Sequence, residues 1–422
     1  MQKGIITRLV SHQILYYLKI NKANFDEIFN YYIKKYSLSS RDKKLVHNIV
    51  LSSMRHNAHI SKIITKYANK KLSINQYLLI LSATTQMIFL DFKSYAVINC
   101  TVELSKNKNL KVFPGFINAI LKNILKDKNK IKKIQIQYDN LPDWFIAQNI
   151  NWKLNEKKSF LESITRKPDL HIVFKNIQSV NKFNYENLPT SKTSLIIQNK
   201  IPINLLGRFD KGEWWVQDYA SMLPLYLTSN IKNKVVLDMC AAPGGKTFQA
   251  LNYGAKLDII EINSKRANTL KENLIRLKFK NQIKIFDALK ISEIKKYDLI
   301  LIDAPCSAVG TVRRNPEIFF RSSMPNFHKI TSLQSKLLNK AKKILKKNGT
   351  IIYMVCSFLK LETISQIKKF LEKNPNFYNN KFIFNNNEDK LIDQNGFINI
   401  VPRKYKNFYI DGFFAARLTK ND

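Results

Sequence analysis

From residue 231 onward the chain alternates short apolar runs with stretches of helical periodicity, the runs lying at 234–239, 257–262, 283–286, 298–303 and 350–355. An apolar run without polar alternation suits a strand buried on both faces, and helices between such strands supply the crossovers of a parallel sheet. The pattern predicts a doubly wound α/β sheet, a fold that takes ligands in the crevice beyond the carboxyl ends of its strands.

The first 130 residues follow a different period. Phe25, Ile28, Phe29, Tyr32, Ile33 and Tyr36 recur at three and four, as do Leu45, Val46, Ile49 and Val50. Phe113, Phe116, Ile117, Ile120, Leu121, Ile124 and Leu125 repeat the spacing, with Pro114 acceptable in a first turn. This predicts a helical bundle. The lysine-rich stretch 122–133 reads as a solvated helix end and linker, because like charges so close together resist burial. Between 136 and 230 the signals are mixed: 170–175 alternates like a strand, and 214–216 is short and aromatic. The expected organisation is a helical domain over 1–135, a small α/β connecting module over 136–230 and the parallel-sheet domain over 231–422. A chain of 422 residues accommodates two or three domains.

Seventy Lys and Arg against 31 Asp and Glu give a net charge of +39, a field that attracts a polyanion such as RNA. Twelve of the cations are Arg and 58 are Lys, and Asn and Ile are also plentiful. AT-rich coding produces that mixture too, so charge alone leaves RNA binding open. The most apolar candidate for a membrane span, 77–90, is broken by Ser82, Thr84, Thr85 and Gln86. The N-terminus is amphipathic and carries Lys3, Arg8, His12 and Lys19, unlike a secretory signal, so a cytoplasmic protein is expected. Cys100, Cys240, Cys306 and Cys356 form no Cys-x-x-Cys and have no nearby His pair, so neither a metal site nor a disulfide framework is expected.

After the first strand of the sheet comes Cys240-Ala241-Ala242-Pro243-Gly244-Gly245-Lys246-Thr247, a small-residue turn that lets backbone approach a ligand closely. It is not a Walker A loop, since the required first glycine would fall on Cys240, and G-x-G-x-x-G is absent. A plain strand-to-helix turn is the alternative. Glu261 ends the next strand, where a doubly wound fold places an acid for ribose hydroxyls, and Asp287 after the third could face an adenine amino group. A ribose and adenine without a pyrophosphate fit S-adenosylmethionine.

Asp303-Ala304-Pro305-Cys306-Ser307 ends the fourth strand and Cys356-Ser357 follows the fifth, aiming two thiols at one crevice. A free cysteine is ordinarily a small buried hydrophobe; a pair beside a ligand loop suggests chemistry. Carbon 5 of a pyrimidine is a poor nucleophile until a thiolate adds at carbon 6 and converts the ring to an enamine that can attack a methyl donor. The adduct must then be dismantled, and a second thiol could assist. Asp303 would hydrogen-bond the base edge, favouring cytosine, and the base must be unstacked to reach the thiols. Arg313 and Arg314 could hold phosphate or could be solvated loop cations.

Residues 240–246, Asp303 to Ser307 with Arg313-Arg314-Asn315-Pro316, Cys356-Ser357, Val216-Gln217-Asp218 and Asp411-Gly412-Phe413-Phe414 resemble the RNA cytosine-5 methyltransferases. Arg41-Asp42-Lys43 through Met54-Arg55, and residues 115–121, resemble the NusB-like domain of the RsmB (Sun, Fmu) branch. The resemblance covers nearly the whole chain. It implies an all-α NusB-like N-terminal bundle, a small α/β middle module and a C-terminal Rossmann-like methyltransferase. It further implies methylation of a cytosine in small-subunit (16S) ribosomal RNA. A monomer with neither metal nor membrane is expected. Residues 240–246, Glu261, Asp287 and Asp303 match positions that contact S-adenosylmethionine, Cys356 matches the nucleophile, and Cys306 matches the thiol linked to product release. Val355 stands where the family often has Thr, and Lys360 and Thr363 stand where Pro and Asn are usual. A transfer-RNA cytosine-5 methyltransferase and a non-catalytic RNA-binding or antitermination factor are the alternatives.

Overall fold

The helical spacing of the N-terminal sequence is realised as α1 (Lys3–Ile20), α2 (Phe25–Lys35), α3 (Ser40–Arg55), α4 (Asn57–Tyr67), α5 (Ile74–Ile88), α6 (Ser94–Ser105) and α7 (Pro114–Lys126). Side chains that accept from otherwise unpaired backbone N–H groups set their starts: Asn24 from Asp26, Ser39 from Asp42, and Ser73 with Gln76 as a capping box. Pro114 occupies the first turn of α7. The 77–90 segment lies in α5, where Leu78 through Ile88 are all buried. Two of its polar side chains bond back to the helix, Thr85 Oγ1 donating to the Leu81 carbonyl and Gln86 Nε2 to that of Ser82. Among the described residues no helix is long and apolar enough to cross a membrane. The lysine-rich stretch is more structured than a linker: α7 ends at Lys126 and α8 (Lys128–Lys132) follows, anchored by Ile131 at 2% exposure while Lys130, Lys132 and Lys133 stay outside.

The computed structural model describes every residue except 1, 2, 22, 69, 149–151, 199, 200, 229, 295, 385–390 and 422. The chain forms two compact units. Unit one comprises Met1–Arg166 with Val312–Pro325; unit two comprises Lys167–Thr311 with Asn326–Asp422. The excursion 312–325 therefore leaves the sheet sequence and supplies Phe320, fully buried, to the core of the helical bundle.

Unit two holds two principal sheets. The smaller consists of β1 (Leu170–Phe174), β2 (Asn187–Ser191), β3 (Ser194–Ile197) and β4 (Trp214–Val216), antiparallel throughout in the order β2-β3-β1-β4. The larger contains the five strands read from the apolar runs: β5 (Val235–Asp238), β6 (Lys256–Glu261), β7 (Ile283–Ile285), β8 (Tyr297–Asp303) and β9 (Leu345–Val355). It is completed by β10 (Phe377–Asn379) and β11 (Ile398–Ile400), then, after a hairpin of β12 (Arg403–Tyr405) and β13 (Phe408–Ile410), by β14 (Phe413–Lys420). The order is β10-β14-β9-β8-β5-β6-β7, with β11 also on β14. Strands β5 to β9 pair in parallel, whereas β14 runs antiparallel to β9.

Alternate residues of these strands enter two different cores, which is why their sequences are apolar without alternation. Val236, Ile259, Leu299, Leu301, Ile352 and Met354 pack on one face of the sheet, and Leu237, Ile260, Ile300, Ile302, Tyr353 and Val355 on the other. Strands β5, β6 and β8 each close on an acid, Asp238, Glu261 and Asp303.

Candidate active site

Asp238, Glu261 and Asp303 are the last residues of β5, β6 and β8, and Asp287 follows β7 by two positions. The turn after β5 is tied to its neighbours by backbone bonds from Met239 N to Leu301 O (3.0 Å) and from Ala241 N to Ile260 O (3.1 Å). Gly244 has φ +112°, and a Cβ there would stand 2.3 Å from Phe248 Cζ and 2.5 Å from Leu270 Cδ1, so no larger residue fits. Helix Gly245–Asn252 begins at once, and its Thr247 Oγ1 donates to Asp238 Oδ2 at 2.7 Å. Asp238 is 1% exposed, and burial pushes its carboxyl up to about 7, against the Thr247 hydrogen bond. Gln217, 5% exposed, backs the turn: its side chain lies 3.2 Å from where a Gly245 Cβ would be and donates to Gln249.

Lys246 is turned toward Asp303, its Nζ 2.7 Å from Asp303 Oδ2 and 5.0 Å from the Phe413 ring centroid. Burial alone would lower the ammonium; Asp303 and Cys356 hold it above its ordinary value instead. The loop lysine thus serves the thiol side of the site. Glu261, 2% exposed, accepts from Ala242 N at 3.1 Å and Asn263 N at 2.9 Å, which fixes both ends of its carboxylate beside the glycine turn. Asp287 Oδ1 accepts from Leu289 N at 3.0 Å. Next to these acids Ile262 is 67% exposed and Phe286 38%, apolar surface that a planar adenine would cover and that the sequence reading did not single out. Acids for hydroxyl and amino groups, apolar surface for a ring and a glycine turn with close backbone approach together fit S-adenosylmethionine.

Cys306 and Cys356 lie on the loops leaving adjacent strands. Ala304 N bonds Met354 O (2.9 Å), Gly310 N bonds Cys356 O (3.0 Å), and Gly412 N bonds Gly310 O (2.7 Å). These bonds draw the two cysteine loops and the turn before β14 together, and each thiol is only half buried. Burial pushes Cys356 up to about 12, helped by Asp303, Asp411 and Asp218 and opposed by Lys246. The positive neighbour expected for a reactive cysteine is present, yet burial outweighs it in the free protein. Cys306 is raised well above its ordinary value by burial, then by Cys356, Glu362 and Asp303, against the Ala308 backbone N–H. Cys240 is also raised by burial first and by Asp238, Asp303 and Glu261.

The structure gathers Cys240 through Lys246, Glu261, Asp287, Asp303, Cys306 and Cys356 on one sheet edge in unit two. Arg313 and Arg314 belong to unit one. Arg313 is 1% exposed and its carbonyl accepts from Arg55 Nη2 at 2.9 Å, so its guanidinium is enclosed rather than offered as a surface cation. Sequence reasoning missed Glu362, 0% exposed, although the serine after each cysteine was a visible signal for it. Its carboxylate accepts from Ser307 N (2.8 Å), Ser307 Oγ (2.5 Å), Ser357 Oγ (2.7 Å) and Gln334 Nε2 (3.2 Å). Among the described residues no three His, Cys, Asp or Glu side chains stand close enough to hold a metal ion.

Residues 225–419 match the family model for the 16S rRNA methyltransferase RsmB/F, and residues 6–126 that of the NusB family. The ribosomal RNA small subunit methyltransferase B of Photorhabdus laumondii is 27% identical, covering 91% of this chain and 92% of that one. Its counterpart from Cronobacter sakazakii is 26% identical, with 92% of each covered. Among solved structures, PH0851 superposes with a TM-score of 0.73 at 20% identity, over 100% of this chain and 99% of that one. The NSun6 of Pyrococcus horikoshii, solved with SFG, gives 0.55 at 18% identity over 65% of this chain and 97% of that one. Both share the fold.

Proposed function

We propose that this chain, which belongs to the RsmB/F methyltransferase family over residues 225–419 and to the NusB family over residues 6–126, methylates carbon 5 of a cytosine in small-subunit ribosomal RNA. S-adenosylmethionine supplies the methyl group and, when bound, a positive sulfonium. The observation that carries the reading is the convergence of Cys306, Cys356, Asp303 and Lys246 at the ends of β5, β8 and β9. A cofactor-binding turn would not by itself need two thiols there.

Glu261 and Asp287 would hold the ribose and adenine ends of the donor beside the turn 240–245. Asp303, with one oxygen held by Lys246, keeps the other for the cytosine edge. As the Cys356 sulfur bonds carbon 6, the thiol proton passes by way of Asp303 to N3, and carbon 5 becomes the nucleophile that takes the methyl. Loss of the carbon 5 proton to solvent then returns the electron pair that breaks the carbon 6 to sulfur bond. The N3 proton returns to Cys356. Cys306 stands beside the departing sulfur and hydrogen-bonds it.

Unit one and the small sheet of unit two each supply RNA contacts. The NusB match favours ribosomal over transfer RNA as substrate. Bisulfite mapping of small-subunit RNA from cells with and without the protein tests the assignment: one cytosine should lose its protection in the deletion and regain it on complementation. An unchanged small-subunit pattern with a change in transfer RNA would replace the substrate, and no change in either would refute the reading.

A further inference from the structure

Among the described residues no cation bonds the Glu362 carboxylate, yet it is fully buried. Burying an ionisable group without an opposite charge costs several kcal/mol unless hydrogen bonds replace the lost water. Here they do. Four donors converge on two oxygens, Ser307 N and Gln334 Nε2 on Oε1 and the hydroxyls of Ser307 and Ser357 on Oε2, the pattern that an acceptor-only carboxylate satisfies. The Glu362 carbonyl also accepts from Tyr353 Oη at 2.8 Å, and Gln334 Nε2 reaches the Pro305 carbonyl at 3.1 Å, so the carboxylate is fixed to β9 and to the Cys306 loop alike.

The two serines are the residues immediately after the two cysteines. We propose that Glu362 is a positioning residue that staples the Cys306 loop to the Cys356 loop through Ser307 and Ser357, and that its carboxylate, bonded to both the backbone N and the hydroxyl of Ser307 but only to the hydroxyl of Ser357, bears more on Cys306 than on Cys356. Burial disfavours the Cys306 thiolate first, then Cys356, Glu362 and Asp303, with the Ala308 N–H opposing them. Cys356 faces Asp303, Asp411 and Asp218, but also Lys246, which favours its thiolate. A carboxylate beside one thiol and an ammonium beside the other thus divide the work: Cys356 is the thiol that ionises and attacks, and Cys306 keeps its proton for the departing sulfur. This division rests on the roles given above to the two cysteines, but its physical basis is measurable without RNA or methyl donor.

The test is site-resolved alkylation of the free full-length protein with iodoacetamide, followed by mass spectrometry across a range of pH, with Cys100 and Cys240 as internal references. In the native protein Cys356 should react faster than Cys306 at neutral pH. Glu362→Gln, close in shape but uncharged, should raise the Cys306 rate by about tenfold, the gain in thiolate expected when one nearby charge is removed. The Cys356 rate should change much less. Ser357→Ala keeps the charge and removes one donor, so it should leave the order of reactivity intact while slowing release of an RNA adduct, which separates stapling from charge. Equal acceleration of both thiols in Glu362→Gln, or none, would overturn the proposal, as would a Ser357→Ala protein with unaltered adduct release. If Glu362→Gln fails to fold, Ser307→Ala provides the second arm, with the same expectation as Ser357→Ala. A protein that shows the alkylation pattern but methylates no RNA would leave this inference standing and remove the functional reading instead.

Discussion

Asp238 shows how one residue links the ligand turn to stability. Burial pushes its carboxyl up to about 7 in the folded protein, whereas an unfolded Asp titrates near 3.8. The folded state therefore holds the proton more tightly, so this contribution is fully present below the unfolded value and is lost as pH rises through the folded one. Asp238→Asn retains an oxygen for Thr247 and cannot ionise. Melting temperatures measured from about pH 5 to about pH 8 should show the native protein losing stability relative to the variant. A constant difference over that range would mean that Asp238 carries its charge throughout. The positions of the acids and thiols were legible because each follows an apolar run that ends abruptly in a polar or small residue. Glu362 was not, because a lone glutamate between Leu361 and Thr363 looks like any solvated acid until the fold encloses it. Lys246 was seen as part of the ligand turn, but its pairing with Asp303 spans 57 residues, a separation on which local spacing is silent.

The elements that carry the site were largely readable, since β5, β6, β8 and β9 are buried on both faces along most of the length that leads to the site and are apolar there, whereas β7 is largely exposed. Residues 170–175 and 214–216 also hold strands, β1 and β4. The antiparallel β14 was noticed only as the motif around Asp411, because Phe413 and Phe414 at its start look like a recognition element rather than a strand. Part of the asparagine-rich stretch around 379–387 lies outside the described residues; Asn379 itself ends β10. The excursion 312–325 gave no signal of joining the helical bundle, as its burial depends on Phe320 and Arg313 meeting residues that lie far away in sequence. Where the Cys306 loop meets the turn before β14 there is no spare space: a Cβ on Gly310 would lie 2.0 Å from the Gly412 carbonyl oxygen and 3.0 Å from that of Cys356. Gly310→Ala must separate these segments, so we expect destabilisation of about 1–3 kcal/mol, the usual cost of overpacking, together with a marked loss of methyl transfer. Chemical denaturation and a methyl-transfer assay check both. A variant with native stability and activity would show that the contact is dispensable.

At the scale of the molecule, charge and chemistry answer different questions. The net charge of +39 makes attraction to any polyanion strong and indifferent to sequence. Binding to small-subunit RNA should weaken steeply with added salt, with a log–log slope of about −0.7 for each phosphate neutralised on single-stranded RNA. A flat salt response would contradict a binding surface built from the abundant lysines. Which nucleotide is modified depends instead on the thiol pair, and there the account can be tested at its centre. Incubating the Cys306→Ala protein with small-subunit RNA and S-adenosylmethionine should accumulate a denaturation-resistant protein–RNA adduct, and the same protein carrying Cys356→Ala as well should form none. An adduct that persists without Cys356, or a Cys306→Ala protein that turns over normally with no adduct, would contradict the assignment of attack to one thiol and release to the other.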